Sequence, residues 1–147
     1  MNLYPISEKI IIGKKAVLEK DLFINEEIGR SAEVRFTCCQ CGNRNVIVLT
    51  PYESGFPVLQ LYEHEDVLSG NDLLKNGMAE ETAQDRLFLG KITVNNLPAL
   101  YFGTSCTACS SAYIGVFGYG EKQPGLEMLK ISGIWNYLKA GKSDAHF

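Results

Sequence analysis

Histidine is nearly absent from this chain of 147 residues, which has only His64 and His146. His64 stands in "YEHEDV", and the residue four places on is Leu68, so the H-E-x-x-H pattern of a zinc protease helix is missing. A G-x-S-x-G nucleophile elbow and a P-loop are missing as well. These gaps remove the usual machinery of hydrolysis and phosphoryl transfer, and the expectation is that the protein is not an enzyme. Basic runs are also lacking, and the pI is about 5.4. Domains that bind nucleic acid ordinarily carry a clear positive stripe, which makes nucleic acid a disfavoured partner. No apolar run is long enough for a membrane span, and charges flank the three isoleucines of "SEKIIIGKKAV", leaving no signal-peptide core. The expected setting is the cytoplasm, with no membrane segment.

What is present describes a globular chain, 46% hydrophobic and 21% charged. Its length suffices to bury roughly 70% of the unfolded surface. The expectation is α+β and β-rich: one domain over residues 1–140, with 141–147 a flexible tail. Runs rich in β-branched and aromatic residues, bounded by turn formers, predict strands. They are "KIIIGKKAV", "EVRFTC", "NVIVLT", "VLQLY", "LFLGKITV", "ALYFGTSC", "AYIGVFGYG" and "LEMLKISGIW". In "EVRFTC", Val34, Phe36 and Cys38 fall on one face and Glu33, Arg35 and Thr37 on the other. A helical, acidic insertion is expected over about 63–85. There Ser69 precedes Asp72 by three residues as a capping-box variant, and Gly77 is a stop. "AEETAQDRLF" and "IWNYLK" each predict a helical turn.

Charge is unevenly spread. Residues 51–85 hold eight acidic side chains and one basic one, Lys75, for a net of 1 − 8 = −7; the remainder is 13 − 9 = +4. Such a segment attracts a basic partner and repels phosphate backbones. The glycines of "YIGVFGYGEKQPG" are read as close packing and a turn, because their order is not the G-x-G-x-x-G that opens a nucleotide-binding helix.

The five cysteines fall in two places. Cys38 and Cys41 form one C-x2-C pair in "FTCCQCGNRN", and Cys106 and Cys109 another in "SCTACSSAY". Two residues between cysteines let a tight turn aim both sulfurs at one point, and two such turns supply the four soft ligands of a tetrahedral Zn2+ site. Gly42 offers the permissive backbone this turn needs. Thioredoxin-like redox chemistry would require a helix after the C-x-x-C, whereas both pairs here precede strand-like runs. Independently buried thiols are the third alternative. Cys39 is the odd residue and is expected to point away from the metal as a free thiol.

"CCQCGNRN" and "CTACSSAYIGV" together resemble the two knuckles of a zinc ribbon, with Tyr113 shortly after the last cysteine. The resemblance covers roughly 20 residues and implies one structural zinc joining two β-hairpins. The 64 residues between Cys41 and Cys106 far exceed the short ribbon spacing. Closing so long a loop costs only of order 1 kcal/mol more than closing a short one. A four-cysteine site has no open position for water, so its zinc is expected to be structural. The expected function is a non-catalytic protein-interaction module of the inhibitor or immunity type, with a basic protein as partner. The alternatives are a nucleic-acid-binding ribbon, using Arg30, Arg35 and Arg44 with Phe36, Tyr101, Phe102 and Tyr113 as stacking surfaces, and a C-x-x-C oxidoreductase.

Overall fold

The computed structural model describes residues 2–64 and 66–140. Glu65, His146 and the expected 141–147 tail lie outside them. The first half runs β1 (Ile10–Lys15), β2 (Val17–Leu18), β3 (Leu22–Ile24), β4 (Ala32–Thr37), β5 (Arg44–Leu49) and β6 (Phe56–Pro57). Two short helices follow, α1 (Leu59–Tyr62) and α2 (Gly70–Lys75). The second half is β7 (Glu80–Glu81), a 3-10 helix (Gln84–Leu89), β8 (Ile92–Val94), β9 (Leu97–Ser105), β10 (Ala112–Gln123) and β11 (Leu126–Lys139). Among the described residues, strand outweighs helix by 48% to 14%, as a β-rich α+β chain should.

Alternating hydrophobicity builds the smaller sheet. Val34 and Phe36 of β4 are buried while Glu33 and Arg35 are exposed; Ile47 and Leu49 of β5 face the same core. The strands pair antiparallel in the order β2-β4-β5. The larger sheet has the order β1-β11-β10-β9-β8-β7, with β3 also on β11 and β6 also on β9. One face of its centre packs Phe102, Tyr113, Phe117 and Ile134 against Val34, Phe36 and Ile47 of the small sheet. The other face packs Tyr101, Ile114, Val116 and Trp135 under Leu61 of α1 and Leu73 of α2. β10 is thus buried on both sides over most of its length, and Gly115 and Gly118 lie where a side chain has no room. A Cβ on Gly115 would lie 2.2 Å from the Phe102 ring, so only glycine lets that ring close on the strand.

Three expectations are corrected. "VLQLY" is helical over Leu59–Tyr62, not a strand. "LFLGKITV" divides between the 3-10 helix and β8, so helix in the insertion extends from Leu59 to Leu89 and beyond the 63–85 boundaries. "IWNYLK" continues β11 instead of forming a helical turn. The cause is a β-bulge: Val116 pairs with Gly133 and Phe117 with Ile131, leaving Ser132 without an opposite residue. Leu129 and Ile131 face the small sheet before the bulge. After it Ile134 does, and Trp135 and Tyr137 face the helices. The extra residue inverts the parity and hides the strand period. Ser132 Oγ fixes the bulge by donating to the carbonyls of Met78 (2.6 Å) and Val116 (3.1 Å). The α2 start agrees with its sequence: Ser69 Oγ accepts from Asp72 N, and the Asp72 carboxylate accepts from Ser69 N.

Candidate metal centre

Each C-x2-C pair sits in the turn of a long hairpin, the first between β4 and β5 and the second between β9 and β10. The two turns have the same backbone plan. The first cysteine's N–H donates to the carbonyl five residues on, Cys38 to Asn43 and Cys106 to Ser111, both at 2.9 Å. Its own carbonyl accepts from the residue four on, Gly42 at 3.1 Å and Ser110 at 3.0 Å. Those two residues take left-handed conformations, with φ of 75° at Gly42 and 65° at Ser110. Glycine adopts that region freely; serine does so at a steric cost.

The turns meet despite the 64 residues between them. The sulfurs of Cys38, Cys41, Cys106 and Cys109 all lie within 4.8 Å of one another. Two close approaches cross between the turns, Cys38 to Cys109 at 3.6 Å and Cys41 to Cys106 at 3.7 Å. A tetrahedral thiolate site with metal–sulfur bonds of about 2.3 Å has sulfur–sulfur edges of about 3.8 Å. A disulfide would bring the sulfurs to about 2.05 Å. All five cysteines are free thiols, and the cluster of four could hold a metal ion. Cys39 is exposed and outside the cluster.

The surroundings of the cluster obey a pseudo-twofold relation that the sequence reading missed. Tyr113, seven residues after Cys106, donates its hydroxyl to Cys38 Sγ at 3.1 Å and accepts from Cys39 N at 2.7 Å. Asn45, seven residues after Cys38, donates to Cys106 Sγ at 3.5 Å and accepts from Thr107 N at 3.1 Å. Each turn therefore sends one side chain across to hold the first sulfur and the next N–H of the other. The equal offset of seven was the available signal. Ser111 adds Oγ contacts to Cys38 (3.4 Å) and Cys109 (3.1 Å).

These contacts sort the thiols. Burial opposes ionisation of Cys38, but hydrogen bonds from Ser111 and Tyr113, with the Cys41 and Gln40 amides, outweigh it and hold the thiol down at about 5. Cys106 is lowered in the same manner: burial resists, while the Cys109 and Ala108 amides and the Asn45 side chain prevail. At Cys41 the Asn43 amide favours the thiolate, but burial and the facing sulfurs of Cys109, Cys106 and Cys38 push it up to about 12. Four thiolates cannot crowd together without a cation to balance them, and a metal ion held by the four sulfurs would supply that balance.

The nucleic-acid candidates are not available for stacking. Phe36, Tyr101, Phe102 and Tyr113 are all 1% exposed or less. Of the three arginines, Arg35 and Arg44 form ion pairs with Glu33 and Glu19. His64 is exposed on the turn after α1, and the sulfur cluster contains no histidine. Compared with family models, curated proteins and solved structures, the chain finds no match in any of the three.

Proposed function

We propose that Cys38, Cys41, Cys106 and Cys109 hold one structural Zn2+ per chain, in a non-catalytic protein-interaction module of the cytoplasm whose partner is a basic protein. The observation that carries this reading is the convergence of four cysteine sulfurs within 4.8 Å of one another, with two of the edges at 3.6 and 3.7 Å, close to those of a tetrahedral thiolate site. Soft thiolates in that geometry select zinc or iron, and redox-inert zinc suits a closed site with no position left for water or substrate. The role supported is a clamp. The β4–β5 hairpin belongs to the small sheet and the β9–β10 hairpin to the large one, so the metal ties the two sheets together at one end.

The interaction role rests on surface chemistry. Glu53, Glu63, Asp66, Glu80, Glu81 and Asp85 are exposed on the segment between the two hairpins, in a field that favours a cationic partner. An inhibitor or immunity protein, which works by covering a partner's basic surface, has these requirements. The test is removal of the metal by a high-affinity chelator under reducing conditions. The melting temperature should fall by 20 °C or more, because metal affinity at such sites is folding free energy. An unchanged melting temperature would refute the clamp.

A further inference from the structure

A groove of about 820 Å3 opens on the helical side of the molecule, away from the cysteines. One wall is β6 with α1, contributing Leu59, Tyr62 and Glu63; the other is the Leu89–Ile92 segment, and Pro98, Ala99 and Leu100 of β9 form the floor. The groove is of a size that takes several side chains of a ligand, and its lining is largely apolar with one anion, Glu63, and one cation, Lys91. Large apolar side chains are left in solvent beside it. Leu59 on the wall is 50% exposed, and the 3-10 helix that supplies Leu89 presents Leu87 at 50% and Phe88 at 79%. A patch of this kind, rimmed by polar groups, marks an interaction site.

The charge around the groove selects the occupant. Elsewhere Glu8, Glu19, Asp21, Glu27 and Glu33 each face a Lys or Arg. Across 51–85, among the described residues, the only ion pair is Asp85 with Arg86 at 3.9 Å. Glu63 lines the groove, Asp66 is exposed three residues on, and Glu81 pairs with Ile92 of the opposite wall. We propose that this groove docks a basic polypeptide segment of a partner protein, with large aliphatic side chains entering between Leu59 and Ile92 and flanking Lys or Arg facing the unpaired carboxylates. The same charge disfavours a phosphate backbone or an anionic lipid surface. This rests on the protein-binding reading above and places the contact.

The test uses the full zinc-loaded chain and three labelled twelve-residue probes, (Leu-Lys-Lys)4, (Ser-Lys-Lys)4 and (Leu-Glu-Glu)4, followed by fluorescence anisotropy and amide chemical-shift mapping. The first probe should bind saturably, at least tenfold more tightly than either control, with shifts gathered at 57–63, 89–92 and 98–100. Leu59→Gln and, independently, Glu63→Lys alter exposed positions and should each weaken it at least tenfold while leaving zinc content and melting temperature unchanged. Equal binding of the serine probe, indifference to Leu59→Gln, or no binding of any probe overturns the groove. A zinc-holding, folded protein that binds no probe leaves the metal reading standing; a zinc-free protein that binds the first probe leaves the groove standing and removes the metal.

Discussion

Replacing Tyr113 by Phe takes one oxygen from beside the four-cysteine cluster and leaves the packing in place. The ring sits 5.0 Å from that of Phe36, centroid to centroid, in a fully buried position, and Phe fills the same space. Two hydrogen bonds disappear, one donated to Cys38 Sγ and one accepted from Cys39 N. A neutral hydrogen bond contributes about 0.5–1.5 kcal/mol and one to a charged group about 1.5–3, so the combined loss is about 2–4.5 kcal/mol. The part that belongs to the bound thiolate should appear as metal affinity, since removing such an outer partner typically costs 10–100-fold. At about 1.4 kcal/mol per tenfold, that part is about 1.4–2.8 kcal/mol, in line with the energy of one hydrogen bond to a charged group. The assays are zinc competition against a chromophoric chelator and urea unfolding, both at neutral pH. Asn45→Leu should reproduce the effect from the other side of the pseudo-twofold. A change of less than threefold in affinity for Tyr113→Phe would refute the argument that the hydroxyl positions and stabilises the Cys38 thiolate.

Three further outcomes are expected. Cys38→Ser and Cys109→Ser should each lose the metal by elemental analysis, while Cys39→Ser keeps it; equal loss in all three would place Cys39 in the cluster. Gly42→Ala forces a Cβ into a left-handed conformation and should cost about 1–2 kcal/mol in urea unfolding, whereas Ser110→Gly at the matching position should cost nothing. In metal-free protein kept reduced, stability should climb as pH rises from about 5 to 9, because over that range the unfolded chain still holds the proton that folded Cys38 has lost. Above 9 the sign reverses, since folded Cys41, pushed up to about 12, keeps a proton that the unfolded chain releases. Urea midpoints across pH 6–10 measure both limbs, and a flat profile would contradict them.

The cysteine cluster was legible because C-x2-C is a local signal with a fixed geometric meaning, and a 64-residue loop between two such signals adds little to their cost. β4 and the α2 cap were legible for the same reason: alternation in "EVRFTC" and Ser69 with Asp72 act within a few residues. The failures were non-local. The parity of β11 depends on a bulge at Ser132, which exists only once β10 lies beside it. "VLQLY" has the composition of a strand, yet it turns helical over one face of the large sheet, with Leu61 directed into the core there. Tyr113 was noticed as a knuckle aromatic, but its hydroxyl's role needs the other turn in place, as does that of Asn45. The groove was invisible for the same reason, since its two walls lie some thirty residues apart in the chain.

The central claim is the proposed closed four-thiolate zinc site. Protein purified under reducing conditions without added metal should be assayed for elemental content together with free thiols before and after chelation. The account predicts one zinc per chain, with Cys39 reactive at the outset and four further thiols appearing on chelation. Five freely reactive thiols without metal, iron in place of zinc, or two disulfides would contradict it.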